Sequence, residues 1–339
     1  MSKSDAARSA RWGARGRAPA PAAGANIGQW SVLGAAVLWG TTGTAATFAP
    51  RGSSSLAVGA AAMGIGGAAL FIGAGRSALR LITSGVAGPA LWLGAGCVVA
   101  YPLAFYTSMA DAGVAIGVTL SIGGAPIVAA LIERIRHGRR LSRQWAATVA
   151  VALIGAILLG TQGAHLGHGG AVSEITGVIL AVAAACCYAG YSVAAAEIVD
   201  QGASSRATVG ALFGLASLVL IPILAITGSA LLASTRGILV AGYLGLIPMS
   251  IGYLLFGRGL RTTTASAATG LSLLGPAVAA VLADLIAHQH LPAIGWLGIA
   301  LVVASVLMQT QSPKPASSGD FAVGGVDVVD LVANGRQGS

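Results

Sequence analysis

The residues that carry chemistry lie inside long apolar stretches, and most of them are aromatic. Trp39 stands in the middle of one stretch; Tyr101 and Phe105 are four apart in another, Tyr188 and Tyr191 three apart, and Tyr253 and Phe256 three apart. At those spacings each pair shares a helix face. A tyrosine buried in an apolar setting wants a partner for its hydroxyl. An aromatic cavity with polar tips, able to hold an amphipathic solute, meets that need, and plain packing between helices is the competing reading. Thr41, Thr42 and Thr44 follow Trp39, and their hydroxyls are expected to return to carbonyls of their own helix.

Carboxylates are scarce. Glu133, Glu197 and Asp284 fall near the ends of apolar runs, where an ionisable group is a functional hypothesis by default. Glu133 has Arg134 and Arg136 beside it and reads as a solvated ion pair; Asp284 is the better candidate to take a proton or a solute amine. These two are the candidates for coupling. Pro102, Pro126, Pro248 and Pro276 each remove a backbone donor and bend a helix, which is tolerated where freed carbonyls meet protein or a water-filled cavity. Ser121 and Ser272 lie about one turn before Pro126 and Pro276 and offer hydroxyls to a solute. His165, His168, His288 and His290 lack the cysteines and carboxylates of a structural zinc site. No nucleotide-binding or hydrolase signature occurs, so neither metal nor cofactor is expected.

The elements that position these residues follow from composition. Hydrophobic residues make up 55% of the chain and charged residues 9%, at a mean hydropathy of +0.83, far from the soluble norm of roughly a quarter charged. Runs of about twenty apolar residues recur, each long enough to cross a hydrocarbon core as a helix. The fold class is therefore an all-α polytopic membrane protein. Fifty glycines suit close helix packing in a bilayer. Cys97, Cys186 and Cys187 all lie in apolar runs and read as small packing residues.

Ten spans are expected, at 30–49, 55–75, 87–109, 113–133, 144–161, 174–196, 207–228, 237–257, 265–287 and 291–309. Residues 1–29, basic and rich in Ala, Gly and Pro, form one disordered tail, and 310–339 a second flexible one. The segment from Asp111 to Trp145 returns later in the chain: a shift of 150 positions lays Pro126 on Pro276, Val128 on Val278, Thr119 on Thr269 and Leu141 on Leu291. Residues 30–161 and 174–309 are thus two copies of a five-helix unit. With the N-terminus cytoplasmic, seventeen Lys and Arg fall inside and only Arg51 and Arg236 outside, which places both termini in the cytoplasm. An odd number of helices per copy makes the repeat inverted, an arrangement common in secondary transporters, where the solute site lies between the halves. The net charge of +9 is spent on this bias, and no nucleic-acid partner is expected.

Several stretches resemble the EamA type of the drug/metabolite transporter superfamily. VLGAAVLWGTTGTAATF, with Trp39 and Gly40, resembles that family's opening helix, and GVILAVAAACCYAGYSVAAAEI resembles the same helix in the second half, with Tyr188 near the tryptophan position. GYLGLIPMSIGYLLFGRGLRTTTASAATGLSLLGPAVAAVLADLI resembles its eighth and ninth helices. One departure is clear: the Gly-Glu pair that the family places after each central proline reads Gly138-Arg139-Arg140 and His288-Gln289-His290 here. The resemblance implies a ten-helix bundle around a central cavity and transport of small organic solutes such as amino acids or related metabolites, often outward; with no converging catalytic groups in the sequence, no enzymatic activity is expected. On the residues, Trp39, Tyr101, Tyr188, Tyr191, Tyr253, Ser121 and Ser272 are the expected solute-binding set, with Pro126 and Pro276 bending the helices. A proton-coupled exporter of drugs or toxic metabolites is the alternative, and a membrane-embedded enzyme or a scaffold fits less well. The expected partners are a small-molecule solute and the bilayer of the cytoplasmic membrane, with a homodimer as an option.

Overall fold

A computed structural model of the chain describes residues 22–138, 142–160, 171–287 and 291–311. Every regular element among them is helical: α1 (Ala22–Thr47), α2 (Ser55–Ala74), the short α3 (Arg76–Thr83), α4 (Gly88–Ala112), α5 (Val114–His137), α6 (Arg143–Gly160), α7 (Ala171–Asp200), α8 (Ser205–Thr227), the single turn α9 (Ser229–Leu232), α10 (Thr235–Leu244), a π-helical segment (Gly245–Ile251), α11 (Gly252–Gly259), α12 (Ala265–Leu271), α13 (Leu274–Ala287) and α14 (Ala293–Gln311). When Thr235–Gly259 and Ala265–Ile286 each count as one span, eight helices among the described residues are long and apolar enough to cross a membrane by length and composition. Arg143–Leu159 is a shorter apolar helix, and α1, at 26 residues, is long but diluted by Trp39 and its threonines. The protein is a multi-pass membrane protein.

Two helical features in the first copy depart from the expected spans. The first helix starts at Ala22 rather than near 30, because its alanine-rich lead-in has strong helix propensity. The unexpected α3 follows α2 after Gly75, whose φ of 53° turns the chain. The tail residues 1–21 and 312–339, and Arg139, Arg140, His165, His168, His288, Gln289 and His290, lie outside the described residues.

The duplication read from sequence is visible in backbone geometry. Ser54 caps α2 by accepting from the Ala57 N–H at 3.1 Å, and Ser204, 150 positions on, caps α8 by accepting from Ala207 at 3.2 Å. Each cap follows a left-handed glycine, Gly52 (φ 87°) and Gly202 (φ 98°), a conformation that only glycine adopts readily. Equivalent helices also pack on each other in opposite directions. A Cβ on Gly64 of α2 would touch Leu220 and Ile221 of α8, while one on Gly214 of α8 would meet Phe71 of α2, so contacts climb one helix as they descend the other. The α6–α14 pair behaves alike: Gly155 and Gly298 lie against each other's carbonyls, and the Ser305 hydroxyl donates to the Thr148 carbonyl at 2.7 Å. Absent side chains permit these backbone approaches, the packing device of membrane helices.

Around this axis the remaining helices form two matching sets. α7 packs on α4 and α5, and α1 packs on α11 and α13. The two proline-bearing central helices differ. α5 runs unbroken through Pro126, whereas its counterpart is interrupted at Ser272 and Leu273, between α12 and α13. Pro276 lacks the N–H that would bond the Ser272 carbonyl; the Gly275 N–H takes that carbonyl instead, at 2.9 Å. α5 packs closely on α12 but scarcely on α13. The central helices therefore meet at one end of the bundle and part at the other.

Candidate functional site

The aromatic residues singled out by spacing converge in the middle of the bundle. Trp39 of α1 lies 5.0 Å from Tyr253 and 5.4 Å from Phe256 of α11, centroid to centroid, and 6.5 Å edge-on from Tyr188 of α7. Tyr101 of α4 stands 5.6 Å from Tyr188 and 5.9 Å from Tyr191, with Phe105 stacked on its outer side at 5.4 Å. Tyr188 and Tyr191 stack at 5.3 Å. These are the offset and edge-on arrangements that ring quadrupoles favour.

The hydroxyls are paired within the cluster. Tyr188 donates to the Ser272 hydroxyl at 2.8 Å, and Tyr191 and Tyr253 share a hydrogen bond of 2.8 Å. Ser272 in turn donates to the Thr269 carbonyl at 2.7 Å. The break in the second central helix is thereby tied to α7 through one tyrosine. Tyr188, Tyr191, Tyr253 and Phe256 are buried, while Trp39 and Tyr101 remain partly exposed. The structure thus assigns the five sequence-selected aromatics unequal places: three tyrosines form a packed floor, and Trp39 and Tyr101 stand at its edge. The indole N–H of Trp39 is buried without a hydrogen-bond partner. It presses on the backbone at Gly252, where a Cβ would come within 2.7 Å of it. Leaving such a donor unpaired costs about 1–3 kcal/mol.

Beyond the floor, towards the end where the central helices part, Val278 to Asp284 of α13 all keep partial exposure, as do Tyr106 and Thr107 of α4 and Val118 to Leu120 of α5. The π-helical segment lies directly before α11. It holds Pro248, and Ser250 donates to the Gly66 and Gly245 carbonyls at 3.2 and 2.9 Å. Such π segments occur frequently at functional sites; this one sets the register of Tyr253.

The remaining sequence-selected residues are placed less centrally. Ser121 is fully buried and donates to the Ala181 carbonyl at 3.1 Å, tying α5 to α7. Thr41 and Thr42 donate back to carbonyls of their own helix, at 2.7 and 2.6 Å. Asp284 accepts from the Leu291 N–H at 2.8 Å, and so ties α13 to the residues that open α14. Glu133 is not a solvated ion pair. It is 5% exposed and accepts from the Ser266 N–H at 3.2 Å and the Ser266 hydroxyl at 2.6 Å. Arg136 pairs instead with Glu197 at 2.9 Å, because one turn beyond Glu133 the α5 surface has reached the polar end of α7. Among the described residues no group of three or more His, Cys, Asp or Glu gathers as metal ligands.

Two participants escaped the sequence reading. Phe213 of α8 lies 4.1 Å from Tyr253 and 5.7 Å from Tyr191; it has no aromatic at helical spacing to draw attention to it. Ser266 is an ordinary first-turn residue until Glu133 is brought beside it.

A multi-pass bundle of two equivalent helical sets, with an aromatic cluster between them, defines an integral membrane protein. The EamA-like transporter family matches residues 26–161 and again residues 175–310, and the chain belongs to that family, the EamA type of the drug/metabolite transporters. A Bacillus subtilis (strain 168) protein, "Uncharacterized transporter YwfM", is 32% identical over 297 residues, covering 88% of this chain and 98% of its own. A Clostridium kluyveri protein, "Uncharacterized transporter", is 24% identical over 173 residues, 50% of this chain and 55% of its own. One crystal structure matches the fold with a TM-score of 0.65 at 20% identity, over 84% of this chain and 97% of the other. These relatives mark the protein as a membrane transporter and point away from an enzyme.

Proposed function

We propose that the protein is a secondary transporter that moves small organic solutes, amino acids or related metabolites, across the cytoplasmic membrane by alternating access, in the outward direction. In this reading the chain crosses ten times, in two inverted five-helix copies covering 30–161 and 174–309, with both termini and both tails in the cytoplasm. The Lys and Arg bias supports that orientation. The parted ends of α5 and α13 then face outward and the joined ends of α5 and α12 face the cytoplasm, so the conformation is outward-open. The solute occupies the space above the aromatic floor, against Trp39 and Tyr101, with Tyr188, Tyr191 and Tyr253 below it and Ser272 at the helix break.

The observation that carries this reading is the ring cluster of Trp39, Tyr101, Tyr188, Tyr191 and Tyr253, drawn from both copies and tied to the helix break through Ser272. The rings cover the apolar part of the solute, which enters at the partly exposed edge formed by Trp39 and Tyr101. Among the described residues no charged side chain contributes to the ring cluster, so recognition rests on shape, stacking and a few hydrogen bonds.

The test is uptake into proteoliposomes of a labelled panel of amino acids and metabolites, with and without an imposed pH gradient. Saturable flux is expected for at least one compound, reduced roughly tenfold or more in Trp39→Ala and Tyr253→Ala protein that remains folded, the loss of one good hydrogen bond or ring contact. Undiminished flux in both variants places the solute elsewhere.

A further inference from the structure

We propose that Glu133 is the latch of the cytoplasmic gate, holding the transporter closed on that side through Ser266. This rests on the alternating-access reading given above. Glu133 lies in the last turns of α5 and Ser266 in the first turn of α12, the two central helices of opposite copies. The carboxylate takes both donors that Ser266 offers, the backbone N–H at 3.2 Å and the hydroxyl at 2.6 Å. Both residues are 5% exposed, so water does not compete for these bonds in the closed state. Hydrogen bonds to a charged acceptor are the strong class, and a carboxylate stripped of its donors while still buried is costly. The bonds therefore persist until the two helix ends separate far enough to admit water.

Among the described residues the opposite end has no such device. The 150-position shift that pairs Pro126 with Pro276 puts Ala283 where α5 has Glu133, and Ile116 where α12 has Ser266. An outer gate made by these equivalents closes on alkyl groups alone. Asp284, the neighbouring carboxylate, is occupied with the Leu291 N–H. The two gates are chemically unequal, and the inequality favours the conformation seen: shut towards the cytoplasm and open outward. Arg136 and Glu197 add an ion pair beside the latch, half-exposed at the arginine and 14% exposed at the glutamate, and a pair open to water on one side contributes modestly. Glu133 is accordingly a positioning residue: it touches no solute, and it sets which side the empty carrier faces.

The test uses two reporters in full-length protein whose native cysteines, Cys97, Cys186 and Cys187, are replaced by alanine. Ala129→Cys lies one turn from Glu133 and is fully buried, whereas Ala280→Cys on α13 is partly exposed on the outer side. Labelling by a membrane-impermeant maleimide is followed from each side of oriented vesicles. With Glu133 intact, A280C labels from outside and A129C is protected. Glu133→Ala is expected to raise inside labelling of A129C roughly tenfold or more, the equivalent of one charge-assisted hydrogen bond, and to slow outside labelling of A280C. Ser266→Ala removes only the hydroxyl and gives a smaller shift, and Glu133→Gln, which keeps an acceptor for the N–H, falls between wild type and Glu133→Ala. A residue with a merely structural role lowers thermal stability and leaves the inside-to-outside ratio unchanged. Unchanged ratios in folded Glu133→Gln and Ser266→Ala protein that still transports solute overturn the latch and leave the transporter reading standing. A shifted ratio with no flux of any panel compound overturns the transporter reading while the latch holds.

Discussion

Pro126 and Pro276 occupy equivalent places in two copies of one unit, yet the helices around them differ. α5 passes through Pro126 without interruption, and Pro126 is buried. The helix holding Pro276 breaks four residues upstream and restarts at Leu274, and Pro276 is partly exposed. The proline chemistry is the same, so the surroundings decide. Ser121, near Pro126, spends its hydroxyl on the Ala181 carbonyl of α7 and pins α5 against its neighbour. Ser272, near Pro276, receives the Tyr188 hydroxyl and returns its own to Thr269, which stabilises the break itself. One proline lies in a braced, continuous helix and the other beside a break. A duplicated sequence has thus acquired an unbroken central helix and an interrupted one.

The largest effect is expected at Gly40, where α1 touches the interrupted helix. A Cβ there would sit 2.6 Å from Val278 Cβ and 2.9 Å from the Gly275 carbonyl, against 3.1 Å from Ala185 Cβ for Gly124 on the braced side. Gly40→Leu is expected to cost about 3 kcal/mol or more through overpacking, and to abolish flux. Gly124→Ala should cost under about 1 kcal/mol, both read from thermal unfolding in detergent.

Next in size is the cluster's hydroxyl pairing. Tyr191→Phe leaves the Tyr253 hydroxyl unpaired, for a loss of about 1–3 kcal/mol. Adding Tyr253→Phe removes the orphan, so the double variant should be more stable than the sum of the singles predicts, measured as a double-mutant cycle. Additive losses would mean the 2.8 Å contact is not a working hydrogen bond.

The prolines themselves give the sharpest contrast in function. Pro276→Ala restores the N–H that can close the break, and should raise the unfolding temperature while lowering flux roughly tenfold. Pro126→Ala should alter flux less than twofold, since α5 is already continuous; equal effects of the two would erase the distinction drawn here. Smallest of all, Arg136→Ala should change stability by at most about 1 kcal/mol, as expected for an exposed pair.

Much of this was legible in the sequence wherever spacing along one helix carried the information. Trp39, Tyr188 with Tyr191, and Tyr253 stood out because an aromatic in mid-span, or two at helical spacing, is visible in one dimension. The repeat was readable for the same reason, and the caps at Ser54 and Ser204 bear it out. What escaped was set between helices. Phe213 joins the cluster from α8 with no local partner, and the bond between Glu133 and Ser266 spans 133 positions. Local charge pattern pointed Glu133 to Arg134 and Arg136, but a buried acceptor follows the donors that packing delivers. The π-helical register before Tyr253 and the break before Pro276 likewise depend on what Ser250 and Ser272 can reach. Proline content marks where a helix can break, and neighbours determine whether it does.

The central claim is that the two central helices are joined at the cytoplasmic end and parted at the outer end. It is tested most directly by two spin-label distances in lipid nanodiscs: an outer pair at Ile116 and Ile286 and an inner pair at Arg134 and Ala267. The account predicts a short, narrow inner distance and a longer, broader outer one in the empty carrier, with the outer pair closing when the best-transported panel compound is added. Outer and inner distances of equal length and width, unmoved by that compound, would contradict it.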